Sequence, residues 1–140
     1  MKKKEHSTLS IFLLIILSAF IFSFGYKIVH PMDYHRIKVE VLNGCGVQNL
    51  ANETARFLRK KGFDVTFYGN AAEPQKKTVM VDKLSPDKKW AKIVKSVLGM
   101  SRISAQVDSA RCINVLVILG MDYNEVLPKE ILNGRLIGIK

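Results

Sequence analysis

The strongest constraint on this chain is an uncharged run close to its start. Residues 7–26 read STLSIFLLIILSAFIFSFGY, with no acidic or basic side chain, and lysines flank the run at 2–4 and at 27. As an α-helix, a run of this length covers about 30 Å, the thickness of the hydrocarbon core of a bilayer. The sequence therefore predicts one transmembrane helix over 7–26, preceded by a short segment, 1–6.

The flanking lysines also predict an orientation. Three lysines before the run favour a cytoplasmic N-terminus, although Lys27 and Arg36 on the far side oppose it. The chain would then be a single-pass protein of the cell membrane with an extracytoplasmic domain. A cleaved signal peptide is the alternative, with Ser23-Phe24-Gly25 as a small-x-small cleavage site. Either interpretation exports the remainder of the chain.

That remainder is small and basic. It has room for one domain of roughly 100 residues with a single modest core. The formal net charge is +10 and the pI is about 9.8, and most of the positive excess lies after the uncharged run. Such a charge favours a polyanionic partner, and nucleic acid, anionic lipid and acidic wall polymer all qualify.

Alternating and helical patterns divide the part of the chain after a linker at 27–36. Strands are predicted where apolar residues alternate or run together, and helices where they recur every three to four residues. The second helix has a clear start signal, with Ser85 as N-cap and Pro86 at its first position. The predicted order is a strand at 37–42, a helix at 47–61, strands at 63–68 and 78–81, a helix at 85–98 and a buried strand at 113–119.

This order of elements is typical of an α+β, ferredoxin-like βαββαβ fold. Two helices would cover one face of a four-stranded antiparallel sheet. The first and last strands would be antiparallel neighbours and would close the domain. Phe57, Phe63, Phe67 and Trp90 fall on or beside the apolar stripes, so we expect them in the core rather than as platforms for sugars.

Three segments together resemble the C-terminal domain of LytR-type cell-envelope proteins. They are VEVLNGCGV at 39–47, LRKKGFDV at 58–65 and VLVILGMDY at 115–123, which ends in the family motif of Gly120, Asp122 and Tyr123. The similarity covers about residues 37–123 and leaves 124–140 as a C-terminal tail. In that family the module usually follows a LytR-CpsA-Psr catalytic domain, which a chain of this length does not have room for. The resemblance therefore implies an envelope location without inherited catalysis.

The segment Asn43-Gly44-Cys45-Gly46 is the candidate ligand site. It follows a strand and opens a helix, where backbone N–H groups can hold an anion. The simpler interpretation is structural, because two glycines suit a tight turn and Asn43 can hydrogen-bond across it. Turn geometry is the favoured interpretation.

Cys45 and Cys112 form a candidate disulfide. One cysteine follows the first predicted strand and the other precedes the last, so antiparallel pairing of those strands would bring the two cysteines to the same end of the sheet. An exported domain permits oxidation. The alternative is that either cysteine is a small buried apolar residue.

Basic side chains are expected on exposed helix faces and on a loop. Such charges usually only solvate a surface, but their excess here favours attraction to anionic wall polymer or lipid headgroups. The segment 62–67 faintly resembles an RNA-binding strand, but nucleic acid is not expected for an exported domain. The candidate basic surface consists of Arg56, Arg59, Lys60, Lys61, Lys76, Lys77, Lys88 and Lys92.

No pattern in the sequence indicates an enzyme, a metal site or a cofactor, since His6, His30 and His35 all lie in or beside the predicted anchor. We therefore expect a membrane-anchored accessory or binding module of the cell envelope that contacts peptidoglycan or an anionic wall glycopolymer. The alternative is a membrane-tethered assembly subunit that binds envelope proteins and no polymer.

Overall fold

The structure is a computed structural model that describes residues 5–29, 33–99, 102–108, 110 and 112–137. The chain divides into two units, Met1–Asp33 and Tyr34–Lys140. The predicted N-terminal segment 1–6 lies mostly outside the described residues.

The first unit contains one long helix, α1 (Glu5–Val29). A helix over the uncharged run is therefore confirmed. Its apolar side chains are exposed, from Leu9 at 68% to Phe22 at 78%. Within the described part of the chain, however, no helix has the combination of length and apolar character that crossing a membrane requires. The transmembrane role of 7–26 stays a prediction.

The second unit is a five-stranded mixed sheet with helices on one face. A short 3₁₀ helix, Tyr34–Arg36, precedes the sheet, and the ring of Tyr34 stacks on that of Phe63 at 4.7 Å between centroids. The elements that follow are β1 (Lys38–Asn43), α2 (Leu50–Lys60), β2 (Asp64–Asn70), β3 (Val79–Asp82), α3 (Lys89–Leu98), β4 (Arg102–Ala105), β5 (Val115–Leu119), α4 (Tyr123–Val126) and α5 (Lys129–Ile137).

The strand directions differ from the prediction. The strand order is β2-β1-β5-β3-β4, with β1 parallel to both β2 and β5, and β3 antiparallel to β5 but parallel to β4. The α+β class is confirmed, and the four-stranded antiparallel ferredoxin-like sheet is wrong. The first and last strands are neighbours, as predicted, but they are parallel. Each of α2 and α3 returns the chain to the end of the sheet where the preceding strand began, so the next strand runs parallel to it.

Strand β4 is the strand that the sequence analysis does not predict. It is four residues long, and only Ile103 is even partly buried. A strand this short and exposed carries no alternation of apolar and polar residues, so the periodicity that identifies the other strands is missing.

One face of the sheet carries the main core. Helices α2, α3 and α5 all contribute buried side chains to it, including Leu58 of α2, Val94 of α3 and Ile131 of α5. The segment 124–140, for which the sequence suggests no pattern, therefore supplies part of the core. The amphipathic pattern of α2 is confirmed, because its predicted inward positions from Leu50 to Leu58 are buried.

Helices α2 to α5 of the second unit all pack on the main core, so none of them covers the opposite face of the sheet. A second cluster lies there, with Leu116 and Val81 buried and Leu42, Val79 and Ile118 partly exposed; we call it the open sheet face. Phe67 pairs with Glu40 of β1 at the edge of this face and is 54% exposed. Phe57 and Phe63 are in the core and Trp90 is partly buried against it, but the expectation that Phe67 is a core residue is wrong.

Asp82 organises the start of α3, a role the sequence analysis assigned to Ser85. The side chain of Asp82 is fully buried, and its two oxygens accept hydrogen bonds from the backbone N–H groups of residues 84, 85, 90 and 91 and from the Ser85 hydroxyl, at 2.7–3.1 Å. Helix α3 begins at Lys89, four residues after Ser85, whose hydroxyl oxygen accepts only from the Lys89 N–H. The cap therefore comes from the end of β3.

We expect Asp82→Ala to lower the free energy of unfolding by about 3 kcal/mol, because one buried and several part-buried donors lose their acceptor at once. Chemical denaturation of the full chain would measure the change. Asp87→Ala is the matched control, since Asp87 is exposed in the same connection, and it should change stability by less than about 0.5 kcal/mol. Equal effects of the two substitutions would contradict the assigned role of Asp82.

Candidate functional site

A crossing segment, residues 71–78, joins β2 to β3 and shapes one end of the sheet. Strand β2 is at the edge, and β3 lies beyond both β1 and β5. The segment therefore has to span three strand spacings, about 14 Å, across the carboxyl ends of two parallel strands. The candidate motifs at 43–46 and 120–123 lie directly under this crossing.

Backbone hydrogen bonds tie the crossing segment to the turn after β1. The N–H of Ala71 donates to the Asn43 carbonyl at 2.9 Å, and the N–H of Gln75 donates to the Gly44 carbonyl at 2.7 Å. A β-carbon at Gly44 would lie 2.8 Å from Cγ of Gln75 and 2.9 Å from the Leu119 carbonyl oxygen. Glycine is thus required at 44 because two other segments approach its backbone.

The Asn43 side chain braces the same turn. Its amide nitrogen donates to the Val47 carbonyl at 2.7 Å, and its amide oxygen accepts from the N–H and the thiol of Cys45, each at 3.2 Å. Gly46 has a φ of +73°, a left-handed conformation that favours glycine. These contacts are the ones expected if Asn43-Gly44-Cys45-Gly46 serves as a tight turn between β1 and α2.

The motif at the end of β5 holds the other end of the crossing segment. Oδ1 of Asp122 accepts from the N–H of Thr78 at 2.7 Å and from its hydroxyl at 2.8 Å, while the same hydroxyl oxygen accepts from the N–H of Gly120 at 2.9 Å. Tyr123 is partly buried against the core. Gly120 packs so closely that a β-carbon would lie 2.6 Å from the Thr78 nitrogen.

The Asp122 carboxylate remains ionised in this network. Burial by itself would raise its pKa, but the hydrogen bonds from Thr78 and the charge of Lys77 outweigh that effect and lower the pKa below its ordinary value of 3.8. The Lys77 ammonium lies 3.7 Å from Oδ2. Lys77, one of the predicted basic surface residues, is therefore partly neutralised by Asp122.

A cleft of about 430 Å³ opens beside the crossing segment at the carboxyl ends of β1 and β2. Sites in open α/β sheets commonly lie in this position. All four residues of the candidate turn contribute to its wall. The lining residues are Asn43, Gly44, Cys45, Gly46, Asn70, Ala71, Ala72, Glu73, Pro74 and Met121. Glu73 and Met121 are distant in sequence from the turn, and no local pattern connects them with it.

The two cysteines lie at opposite ends of the sheet. Because β1 and β5 are parallel, Cys45 follows the carboxyl end of β1 while Cys112 precedes the amino end of β5. The five paired positions between them already span about 13 Å, beyond the Cα separation of less than about 7 Å that a disulfide needs. Both thiols are free, and the antiparallel premise of the predicted disulfide is wrong.

The predicted basic residues fall into two groups. One group lies on or next to α2 and α3, on the helix-covered side of the sheet, because both helices pack on the same core. Lys61 directly follows α2 and Lys88 directly precedes α3. We call this group the basic helix layer; it consists of Arg56, Arg59, Lys60, Lys61, Lys88 and Lys92. Lys76 and Lys77 lie instead on the crossing segment.

Several cations in the basic helix layer have local contacts. Arg56 pairs with Glu53 at 3.1 Å, and Arg59 donates to the Val65 carbonyl at 2.7 Å and lies over the Tyr68 ring. Lys60 and Lys92 are exposed, and one belongs to each helix. These two side chains are the best placed to meet an anionic surface.

These features define a small two-layer α/β module with a preformed cleft and a basic helix layer. Across the described part of the chain, no group of three or more His, Cys, Asp and Glu side chains is arranged to hold a metal ion.

The family model described as LytR cell envelope-related transcriptional attenuator matches residues 36–123, and the chain belongs to this LytR C-terminal family. Membership indicates a module associated with the cell envelope. The soluble domain of a conserved hypothetical secreted protein from Mycobacterium marinum has a similar structure, with 21% identity, a TM-score of 0.51, and coverage of 66% of this chain and 64% of that one. This likeness shows the fold alone. The comparison with curated proteins gives no match.

Gly120→Ala should destabilise the domain by about 3 kcal/mol, because the added methyl group meets the backbone of residues 77 and 78 rather than a side chain that can move. The free energy of unfolding of the full chain measures this.

Gly134→Ala is the control. There the methyl group meets only the flexible Glu53 carboxylate, at 3.0 Å, within α5. Alanine should be neutral or stabilising by about 0.5 kcal/mol. If Gly120→Ala is tolerated equally well, the crossing segment is not held as described.

Proposed function

We propose that this protein is a non-enzymatic module of the cell envelope that is held at the membrane by α1 and binds anionic wall polymer or peptidoglycan through the basic helix layer. The single observation that carries the proposal is the placement of the cations of α2 and α3 on one side of the sheet. Membership of an envelope-associated family supports the location.

Electrostatics favours the helix layer over the cleft as the polymer site. Exposed cations on two helices of one layer can meet successive negative charges along a polymer, and the excess of basic residues in the chain strengthens the long-range attraction. The cleft, by contrast, is lined by a carboxylate, that of Glu73. Binding through the helix layer should be sensitive to salt.

The proposed anchor is the uncharged run 7–26. The apolar side chains of α1 are largely exposed between Leu9 and Phe22, and such a surface is stabilised by leaving water for lipid. The similar mycobacterial protein is described as secreted, which is consistent with export of the domain. The proposed orientation has the N-terminus in the cytoplasm and the domain outside.

Membrane-tethered protein assembly without a polymer ligand is the second candidate. The open sheet face favours it, because Leu42, Val79 and Ile118 are partly exposed there beside Phe67. An apolar patch of this kind more often contacts protein than a charged polymer.

Cosedimentation of the full chain, in mild detergent, with purified sacculi tests polymer binding. We expect binding to sacculi that carry anionic polymer, and we expect it to weaken as salt rises. Substituting both Lys60→Gln and Lys92→Gln should reduce the affinity about fivefold, because two exposed charges are lost.

The control double variant, Lys38→Gln with Arg102→Gln, removes the same charge from exposed positions on β1 and β4, outside the helix layer. Its affinity should fall less than about twofold. Salt-resistant binding to sacculi stripped of polymer would indicate the glycan itself. Absence of binding in every condition would refute a wall ligand and favour the assembly role.

Extraction of cell membranes with alkaline carbonate tests the anchor. The full chain should stay in the membrane pellet, and Leu14→Arg with Ile15→Arg should release it, because each arginine costs about 3 kcal/mol near the bilayer centre. The exchange Leu14→Ile with Ile15→Leu keeps the hydropathy and should have no effect. A mature chain whose mass lacks the run would show a cleaved signal peptide instead.

A further inference from the structure

The cleft beside the crossing segment has a chemistry that differs from that of the basic helix layer. Its volume of about 430 Å³ is within the range of about 300–1,000 Å³ found for small-ligand sites. It is large enough for two or three amino-acid residues. Nothing in the proposed polymer binding uses it.

Backbone hydrogen bonds connect the segments that form the cleft. The N–H of Gly44 donates to the Leu119 carbonyl at 2.8 Å, and the N–H of Met121 donates to the Gln75 carbonyl at 3.0 Å. Together with the bonds from Ala71 and Gln75 to the turn after β1, these link all three segments that line or border the cleft. A ligand therefore meets a preformed wall and pays little for ordering it.

The residues that line the cleft exclude two classes of ligand. None of the described lining residues is basic, and the one charged side chain is that of Glu73, so a phosphate or another polyanion would meet repulsion. None is aromatic, so a sugar ring would lack a stacking surface. Lys77 is near the site in sequence but pairs with Asp122 and does not line the cleft.

The same residues suit a peptide. Small or apolar side chains at Ala71, Ala72, Pro74 and Met121 can receive methyl groups, and the Asn70 amide can bond to a peptide group. The Glu73 carboxylate can accept a charge-assisted hydrogen bond from an ammonium group. We propose that the cleft binds a short peptide segment with small side chains and a free ammonium group.

Cys45 supplies a reporter within the cleft. Its thiol is partly buried, and the chain has one other cysteine, Cys112, which is exposed at the opposite end of the sheet. In a Cys112→Ser variant of the full chain, the rate of alkylation by iodoacetamide therefore reports on Cys45 alone. The probe ligand is trialanine amide, which has one ammonium group and no carboxylate.

We expect trialanine amide to slow alkylation of Cys45 several-fold and in a saturable manner. N-acetyl-trialanine amide and inorganic phosphate should have little effect, because the first lacks the positive charge and the second has the wrong sign. Glu73→Gln should weaken the protection about tenfold, the loss of one charge-assisted hydrogen bond. Glu125→Gln, an exposed position on α4 outside the cleft lining, should leave it unchanged.

A Cys45→Ser variant, which leaves only Cys112, controls for non-specific effects and should show no protection. The proposal is overturned if trialanine amide gives no protection, if phosphate or the acetylated peptide protects equally, or if Cys112 is slowed as much as Cys45. Because none of these measurements involves sacculi, failure here leaves polymer binding by the helix layer untouched.

Discussion

The passage of residues 71–78 over the ends of β1 and β5 is the constraint on which the rest of the domain depends. A chain that leaves an edge strand and enters the sheet three strands further along has to cross the two backbones between them at close range. Gly44 and Gly120 are the two glycines at which the crossing segment comes closest, and a β-carbon at either would collide with backbone or with Gln75. Asp122 and Thr78 then fix the far end of the crossing. These four residues thus let one segment pass over another.

This explains which parts of the fold are predictable from sequence. Helix α2 and strand β1 follow from local periodicity, because each buries one face, and β5 follows from an unbroken apolar run that is buried on both faces. Strands β2 and β3 also lie close to their predicted positions. The direction of a strand relative to its neighbours, by contrast, is not determined by its local sequence. A helix between two strands is compatible with several sheet orders, and only the packing of all five strands selects β2-β1-β5-β3-β4. The predicted disulfide between Cys45 and Cys112 depends on antiparallel first and last strands. Because these strands are parallel, the two cysteines lie at opposite ends of the sheet.

The start of α3 shows the same distinction on a smaller scale. Ser85-Pro86 is a strong local signal for a helix start, yet Ser85 accepts only the N–H of Lys89, and the N–H groups of Trp90 and Ala91 are satisfied by Asp82, buried at the end of the preceding strand. A carboxylate offers two oxygens to several donors, so it outcompetes a single hydroxyl. The candidate site shows the same difference. The turn at 43–46 is recognisable in the sequence, but Glu73 and Met121 reach it only in the folded domain, through the crossing segment and the end of β5.

The shape of the cleft and the chemistry of its wall depend on different parts of the structure. Its outline depends on backbone hydrogen bonds and on glycines that cannot change without displacing the crossing segment, whereas the chemistry of its wall depends on a few side chains, chiefly Asn70, Glu73 and Cys45, that carry no comparable constraint. The basic helix layer contributes no residue to the wall of the cleft, because its cations lie on or beside helices on one side of the sheet. Substitutions of Asn70 or Glu73 can therefore change the chemistry of the wall without displacing the crossing segment or the cations of the basic helix layer.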